Sequence, residues 1–277
     1  PEGTIANMVL PGACAARGLT GFRMVDCCFG ALAMMLPDQV FAASDGGNTG
    51  ISIGGYDSHR NPFIYVDFTC GTWGGRPFAD GLDGNSNMHA NMASTSVEIT
   101  EAEHPIEILA YEFVPDKSGA GKYRGGTPYR RDYRLLEEEA VLQVRSDRRD
   151  FRPYGLYGGY PGKPSMNFLN PTGQNDQPVQ AKITMTMKRG DVLRHELAGA
   201  AGWGDPLERD PNAVLRDVRN EMISVDTARR DYGVAVDIDT WSIDESETKK
   251  LRKAIEQARG WTEVPSVLRE DPVGLSS

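Results

Sequence analysis

Apolar positions along the chain follow two periods. Over residues 20–36, Phe22, Val25, Cys28, Phe29 and Leu32 recur three and four apart, which predicts an amphipathic helix stopped by Pro37 and Asp38. Its Ala, Met, Cys and Gly content predicts close packing, deep in the fold. Residues 62–70, Pro-Phe-Ile-Tyr-Val-Asp-Phe-Thr-Cys, read as a strand rich in aromatic and β-branched side chains. Residues 106–114 alternate, and 129–134, 140–144 and 181–187 look similar. Gly-rich stretches at 118–126 and 157–164 are turn-rich connectors between strands.

Past residue 206 the period becomes helical. Asp210 followed by Pro211 is an N-cap with Pro at the first helical position, and Val214, Val218 and Met222 follow four apart. A second helix starts at Ser224 and closes at Gly233; Asp244 or Ser246 caps a third. Residues 265–277 read as a loose tail. The fold class these elements predict is α+β, with a β-rich centre, Gly-rich loops, a buried N-terminal helix and a helical C-terminal region. Three stretches are expected: 1–104, helix plus strand and polar loop; 105–206, antiparallel β; 207–277, a helical arm and tail.

Composition narrows the function. The 277 residues hold 30 Lys and Arg against 39 Asp and Glu, a formal net charge of -9, so neither nucleic acid nor an anionic membrane surface is an expected partner. The most apolar run, 29–36, is too short to span a bilayer. Four cysteines are too few for a disulfide scaffold, which points to buried reduced thiols and a cytoplasmic setting.

The segment 71–91 carries the most suggestive chemistry. It is a loop with hardly any aliphatic side chain, and it gathers Arg76, Asp80, Asp83, Asn85, Asn87, His89 and Asn91. Carboxylates, an imidazole and a guanidinium in one loop can bind a metal, move a proton or hold an anion. A Gly/Asn/Asp loop that satisfies only its own turns is the plain alternative. Asp80 and His89 lack the spacing of a zinc protease, so no metal ligand is assigned. The run from Gly119 through Lys122 to Gly126 fails as a phosphate loop, because strand-like residues rather than a helix follow it. Asp147 and Arg148 after a strand could lock a loop or face a ligand anion, and the lock is the favoured reading. His59, His104 and His195 read as surface or capping residues.

These residues also occur in an ordered set. Gly18-Leu-Thr, Arg23, Asp26, Arg76-Pro, Asp80-Gly and His89-Ala-Asn-Met are followed by Pro115-Asp-Lys-Ser-Gly-Ala-Gly-Lys-Tyr-Arg-Gly-Gly and Ser146-Asp-Arg-Arg. Next come Lys188-Arg-Gly-Asp-Val-Leu, Gly199-Ala-Ala-Gly-Trp-Gly-Asp-Pro and Ala228-Arg-Arg-Asp-Tyr-Gly-Val. The set, over residues 3–237, resembles the rear portion of the hydantoinase B/oxoprolinase family, which includes B-type subunits of N-methylhydantoinase, caprolactamase and acetophenone carboxylase. The resemblance implies a fragment or split subunit of a hetero-oligomer, completed by a chain carrying the front half. An A-type partner would phosphorylate a small cyclic amide or ketone using ATP and Mg. The B-type subunit would then hydrolyse it, or alternatively carboxylate it, with a divalent metal (Zn, Mn or Mg) supplied mainly by the front half or a partner. On this resemblance Asp80 and His89 are the expected catalytic residues, and Arg76, Asp83, Asn87 and Asn91 the expected substrate-binding ones. A non-catalytic scaffold is the remaining alternative.

Overall fold

The computed structural model describes residues 1–13 and 17–272; Cys14 and residues 273–277 lie outside the described part. Two antiparallel four-stranded sheets face each other. One has the order β2-β1-β5-β8, from Thr49–Tyr56 (β1), Pro62–Thr69 (β2), Glu139–Arg145 (β5) and Lys182–Lys188 (β8). The other has the order β3-β4-β9-β7, from Ile106–Phe113 (β3), Tyr129–Leu135 (β4), Met166–Leu169 (β7) and Val192–Glu196 (β9). Alternation sends one face of each strand inward. Ile51, Ile53, Tyr65, Leu142, Val144 and Met187 of the first sheet thereby meet Ile106, Tyr133, Leu135 and Leu193 of the second in one core. The mixed helices and sheets make the fold α+β, as expected. The boundary at 104/105 does not separate two units, because β1 pairs with β5 from Gly50↔Arg145 to Gly55↔Ala140 and both stretches share the core.

Beside the sheets lies a layer of glycine-rich backbone with little regular structure. Gly119 N donates to Ala200 O, Gly202 N to Tyr160 O, and Gly75 N to Ala201 O. A Cβ on Gly199 would strike the Lys117 carbonyl, and one on Gly74 the Ala42 carbonyl, so these segments approach as only glycine permits. The C-terminal helices Pro211–Arg219 (α3), Val225–Tyr232 (α4) and Glu245–Arg259 (α5) are capped by Asp210, Ser224 and Asp244, and Gly233 and Gly260 take the left-handed conformation at the ends of α4 and α5. Val214, Val218, Ala228 and Tyr232 pack them onto Ala120 and Tyr160 of the glycine layer.

Four sequence expectations are corrected. The helix Arg17–Met35 (α1) is not deep in the fold: only Phe22, Asp26 and Ala33 are buried, and Met24, Met34 and Met35 face outward. It is also long and apolar enough to cross a membrane, the one such helix among the described residues. Cys27 and Cys28 on it are exposed, whereas Cys70 is buried as expected. His195 is not a surface residue. It is 1% exposed, its Nδ1 lies 2.7 Å from Asn167 Oδ1, and burial next to Lys117 pushes its pKa down to about 3. The tail up to residue 272 is docked. Val267–Leu268 (β10) pairs with Gly155–Leu156 (β6), and Asp271 bonds Arg152 and Lys163. Burial raises the Asp271 carboxyl and these two cations more than reverse it, holding it below the usual carboxylate range. A short helix, Val97–Glu103 (α2), was not predicted; Ser96 caps it by accepting from Ile99 N.

Candidate functional site

The loop after β2 divides into two halves of different character. In residues 73–84 the two carboxylates are taken up by ion pairs and the guanidinium by a backbone carbonyl. Asp80 accepts from Arg209 through both oxygens, Nη1 at 2.6 Å and Nη2 at 2.8 Å, and from Arg124 N at 2.8 Å. Asp83 accepts from Arg124 Nη1 at 2.9 Å and Thr127 N at 2.6 Å. Asp217 of α3 lies between the two guanidiniums, 2.7 Å from Arg209 Nη2 and 3.6 Å from Arg124 Nε. The result is a chain of alternating charges, Asp80–Arg209–Asp217–Arg124–Asp83, that fastens the loop to the C-terminal helices. Burial raises both loop carboxyls, and Arg209 and Arg124 respectively more than reverse this, so each is held below the usual carboxylate range. Arg76 spends Nε and Nη2 on the Asp80 carbonyl, at 2.9 and 2.6 Å.

Residues 85–92 are arranged otherwise. With Trp73 they line an open cavity of about 450 Å3. Trp73 Nε1 donates to Ser86 O at 2.7 Å, Ser86 Oγ to Ala90 O at 2.8 Å, and His89 N to Asn87 Oδ1 at 2.8 Å. These bonds fix the turn and leave the His89 imidazole exposed, edge-on to Phe22 of α1 at 5.5 Å between ring centroids. Asn87 is buried and acts as the turn's acceptor, while Asn91 is exposed at the rim. Thus His89, Asn87 and Asn91 share one cavity, and Asp80 and Asp83 belong to the clasp behind it.

Sequence reasoning passed over the buried segment that reaches this cavity through Asn48 and Met92. Residues 42–47 run buried and irregular under α1. Asp45 is 2% exposed, and its carbonyl, not its carboxylate, accepts from Arg23 Nη2 at 2.9 Å and Arg148 Nε at 3.1 Å. Arg23 Nη1 lies 2.8 Å from Asp26, and Arg148 Nη2 donates to the same Asp26 oxygen, so Arg148 does lock α1 onto the fold. Among the described residues, Ser44 Oγ, Asp45 Oδ2 and Asn48 Oδ1 are buried without a hydrogen-bond partner. Burial pushes the Asp45 carboxyl up to about 7, against the pull of Arg23 and Arg148. Asn48 Nδ2 lies 3.6 Å from Met92 Sδ, and this contact joins the first cavity to a second, of about 310 Å3, lined by Leu19, Asn48, Ser52, Phe68 and Arg145 among others. The run Ser44-Asp-Gly-Gly-Asn48 was the available signal: polar residues bracketing two glycines, with no turn to cap.

Comparison with known proteins places the chain in a family. The family model for hydantoinase B/oxoprolinase matches residues 1–206, so the chain belongs to that family. An uncharacterized protein of Methanocaldococcus jannaschii is 38% identical over 91% of this chain and 44% of its own length. The caprolactamase subunit beta of Pseudomonas jessenii is 29% identical over 92% of this chain and 45% of its own. The crystal structure of an ATP-dependent caprolactamase from that organism superposes with a TM-score of 0.77 at 24% identity, over 91% of this chain and 45% of that one. A nucleotide-free acetone carboxylase superposes with 0.68 at 20% identity, over 88% of this chain and 37% of that one. The last two show the shared fold. The chain spans less than half the length of each of these proteins.

Proposed function

We propose that the chain works as part of the B-type subunit of an ATP-dependent hydantoinase/oxoprolinase-like enzyme, in a hetero-oligomer with an A-type ATPase. The substrate is a small cyclic amide, a lactam, hydantoin or oxoproline, whose carbonyl oxygen the A-type partner phosphorylates with ATP and Mg. Phosphorylation converts a poor electrophile into one that water attacks. The observation that carries the reading is the exposed imidazole of His89 at a cavity of about 450 Å3, in a chain of this family.

Of the two proton-transfer candidates, we assign the role to His89. Both Asp80 oxygens already accept charge-assisted bonds from Arg209, which leaves that carboxylate no free basicity. His89 takes a proton from the attacking water and returns it to the ring nitrogen as the C–N bond breaks, which leaves an acyl phosphate that a second water hydrolyses to the ring-opened acid and inorganic phosphate. Asn87 and Asn91 orient the amide, Arg76 faces the phosphoryl group from the loop's outer edge, and Asp83 holds the loop through Arg124. A divalent metal in such an enzyme supplies Lewis-acid polarisation of oxygen. Among the described residues no group of three His, Cys, Asp or Glu is placed to hold one, so these residues do not fit the metal by themselves. Its ligands belong, on this reading, to the front half of the subunit.

The test uses the assembled complex with cyclic amide and MgATP, reading ADP release and ring-opened acid. His89→Ala is expected to lower kcat by about 10²–10⁴-fold with assembly intact; unchanged turnover overturns the assignment. The fold shared with acetone carboxylase makes a ketone carboxylase the second reading. Bicarbonate-dependent ADP release with a ketone, and none with a lactam, selects it. Loop variants that lose assembly but not turnover per complex select a scaffold.

A further inference from the structure

The polarity of α1 is inverted. Its Arg23 and Asp26 face inward, where they meet Asp45, Asp147 and Arg148, and Tyr154 Oη donates to Asp26 O at 2.8 Å. From Met24 to Leu36 the outward positions carry no charge: Met24 is 46% exposed, Met34 51% and Met35 75%. A helix that ends in water places these classes the other way round. The apolar surface continues beyond the helix. Leu19 shares the cavity of about 310 Å3 with Ile64, Val66 and Phe68, which form the outer row of β2 and are each 47% exposed or more. The outer row of β2 is thus as apolar as a row covered by another layer, while its inner row carries Asp67 and Thr69 beside Tyr65. The total accessible surface is 14477 Å2. A compact monomer of this mass exposes about 11,800 Å2. The excess, to which the exposed segment 1–13 also contributes, is above the roughly 800 Å2 that one partner contributes to a standard interface.

We propose that the outward face of α1 and the outer face of β2 form one docking surface for the remaining portion of the B-type subunit, through an uncharged apolar face on that portion. This rests on the reading of the chain as part of a B-type subunit. The relatives supply the occupant: each carries more than half of its residues outside the match, while the match takes in over nine-tenths of this chain. A bilayer fits the surface less well. To span it, α1 would strip Arg23 and Asp26 from their partners near the middle of the helix, a placement that costs several kcal/mol per charge.

The experiment combines this chain with the remaining B-type portion and follows complex formation by sedimentation. Met24→Glu with Met35→Glu, and separately Ile64→Glu with Val66→Glu, are expected to weaken association by about 100-fold or more, since each pair buries two charges in an apolar contact. All four side chains are exposed, so circular dichroism of the variants should match the parent chain. A second measurement needs no substitution. Maleimide labelling read at the peptide containing Cys27 and Cys28 should be fast in the separate chain and slow in the complex. Parent-like affinity in both pairs, or Cys27 and Cys28 equally reactive in the complex, overturns the proposal. So does flotation on phosphatidylcholine–phosphatidylserine vesicles that the Glu pairs abolish while the complex persists, or a homodimer that they dissolve while the complex persists. A complex that forms as described but turns over no cyclic amide defeats the proposed function and leaves the interface standing. Turnover with undisturbed Glu pairs does the reverse.

Discussion

The two halves of the 71–92 loop are neighbours in sequence and opposites in electrostatics. Residues 73–84 hold two carboxylates and a guanidinium, and ion pairs or backbone bonds take up both oxygens of Asp80, an oxygen of Asp83 and two nitrogens of Arg76. Residues 85–92 hold amides, an imidazole and two thioethers, arranged around open space. The difference teaches which residues such a loop leaves for chemistry. Carboxylates taken out of water need counter-charges, and the fold provides them from 129 residues away for Asp80 and 41 for Asp83. What stays accessible is the neutral side chain that its backbone bonds merely orient.

The clasp is broken most severely at its buried centre. Arg209 is 2% exposed and serves both Asp80 and Asp217. Arg209→Ala strands two carboxylates and should cost about 3–5 kcal/mol of unfolding free energy in urea titration. A loss below about 1 kcal/mol would mean that the clasp is decorative.

Next in size is the buried carboxylate beneath α1. Asp45 is pushed up to about 7 by burial, from 3.8 in the unfolded chain. Between those values the folded state holds a proton that the unfolded state has released, so stability falls as pH rises through the window, by about 1.4 kcal/mol per unit at most. Asp45→Asn cannot titrate. It should match the parent near pH 4 and exceed it at pH 8, by up to about 4 kcal/mol. A variant less stable at both pH values would show that the carboxylate has a partner in the folded chain. Asp83 bears the opposite sign. Its folded value is depressed, so its contribution is present above the unfolded value and disappears as pH falls through the folded one. Asp83→Asn should cost about 1.5 kcal/mol at pH 7 and nothing in strong acid. An equal cost at both ends would assign the loss to packing.

The sequence displayed the local parts of this arrangement and concealed the distant ones. Strands β2, β3 and β5 were visible because alternation and β-branching are local properties, and the helix caps at Asp210, Ser224 and Gly233 were visible because each is written within four residues. Strand β1 was harder, since Gly54 and Gly55 interrupt its apolar pattern; Gly55 is needed where Ala140 and the Glu139 carbonyl approach. The fate of Asp80 was not readable, because nothing near it in sequence announces Arg209. The orientation of α1 was misread for a related reason. Phe22, Val25, Phe29 and Leu32 mark an apolar stripe, but Arg23 and Asp26 are drawn inward by Arg148 and Asp147, which turns the helix so that Leu32 and Met24 face out.

His89 gives the smallest stability effect and the sharpest separation of the two halves. Its ring is exposed, and its edge-on contact with Phe22 is the packing that His89→Ala removes. The turn beneath it is held by the backbone N–H of residue 89, which alanine retains. His89→Ala should therefore change unfolding free energy by no more than about 0.5 kcal/mol, against several for Arg209→Ala. Clasp variants thus lower stability while an open-half variant lowers only turnover of the assembled enzyme. If His89→Ala instead destabilised the chain as much as Asp83→Asn does, the imidazole would be a packing element between the loop and α1, and the cavity beside it would have lost its reacting group.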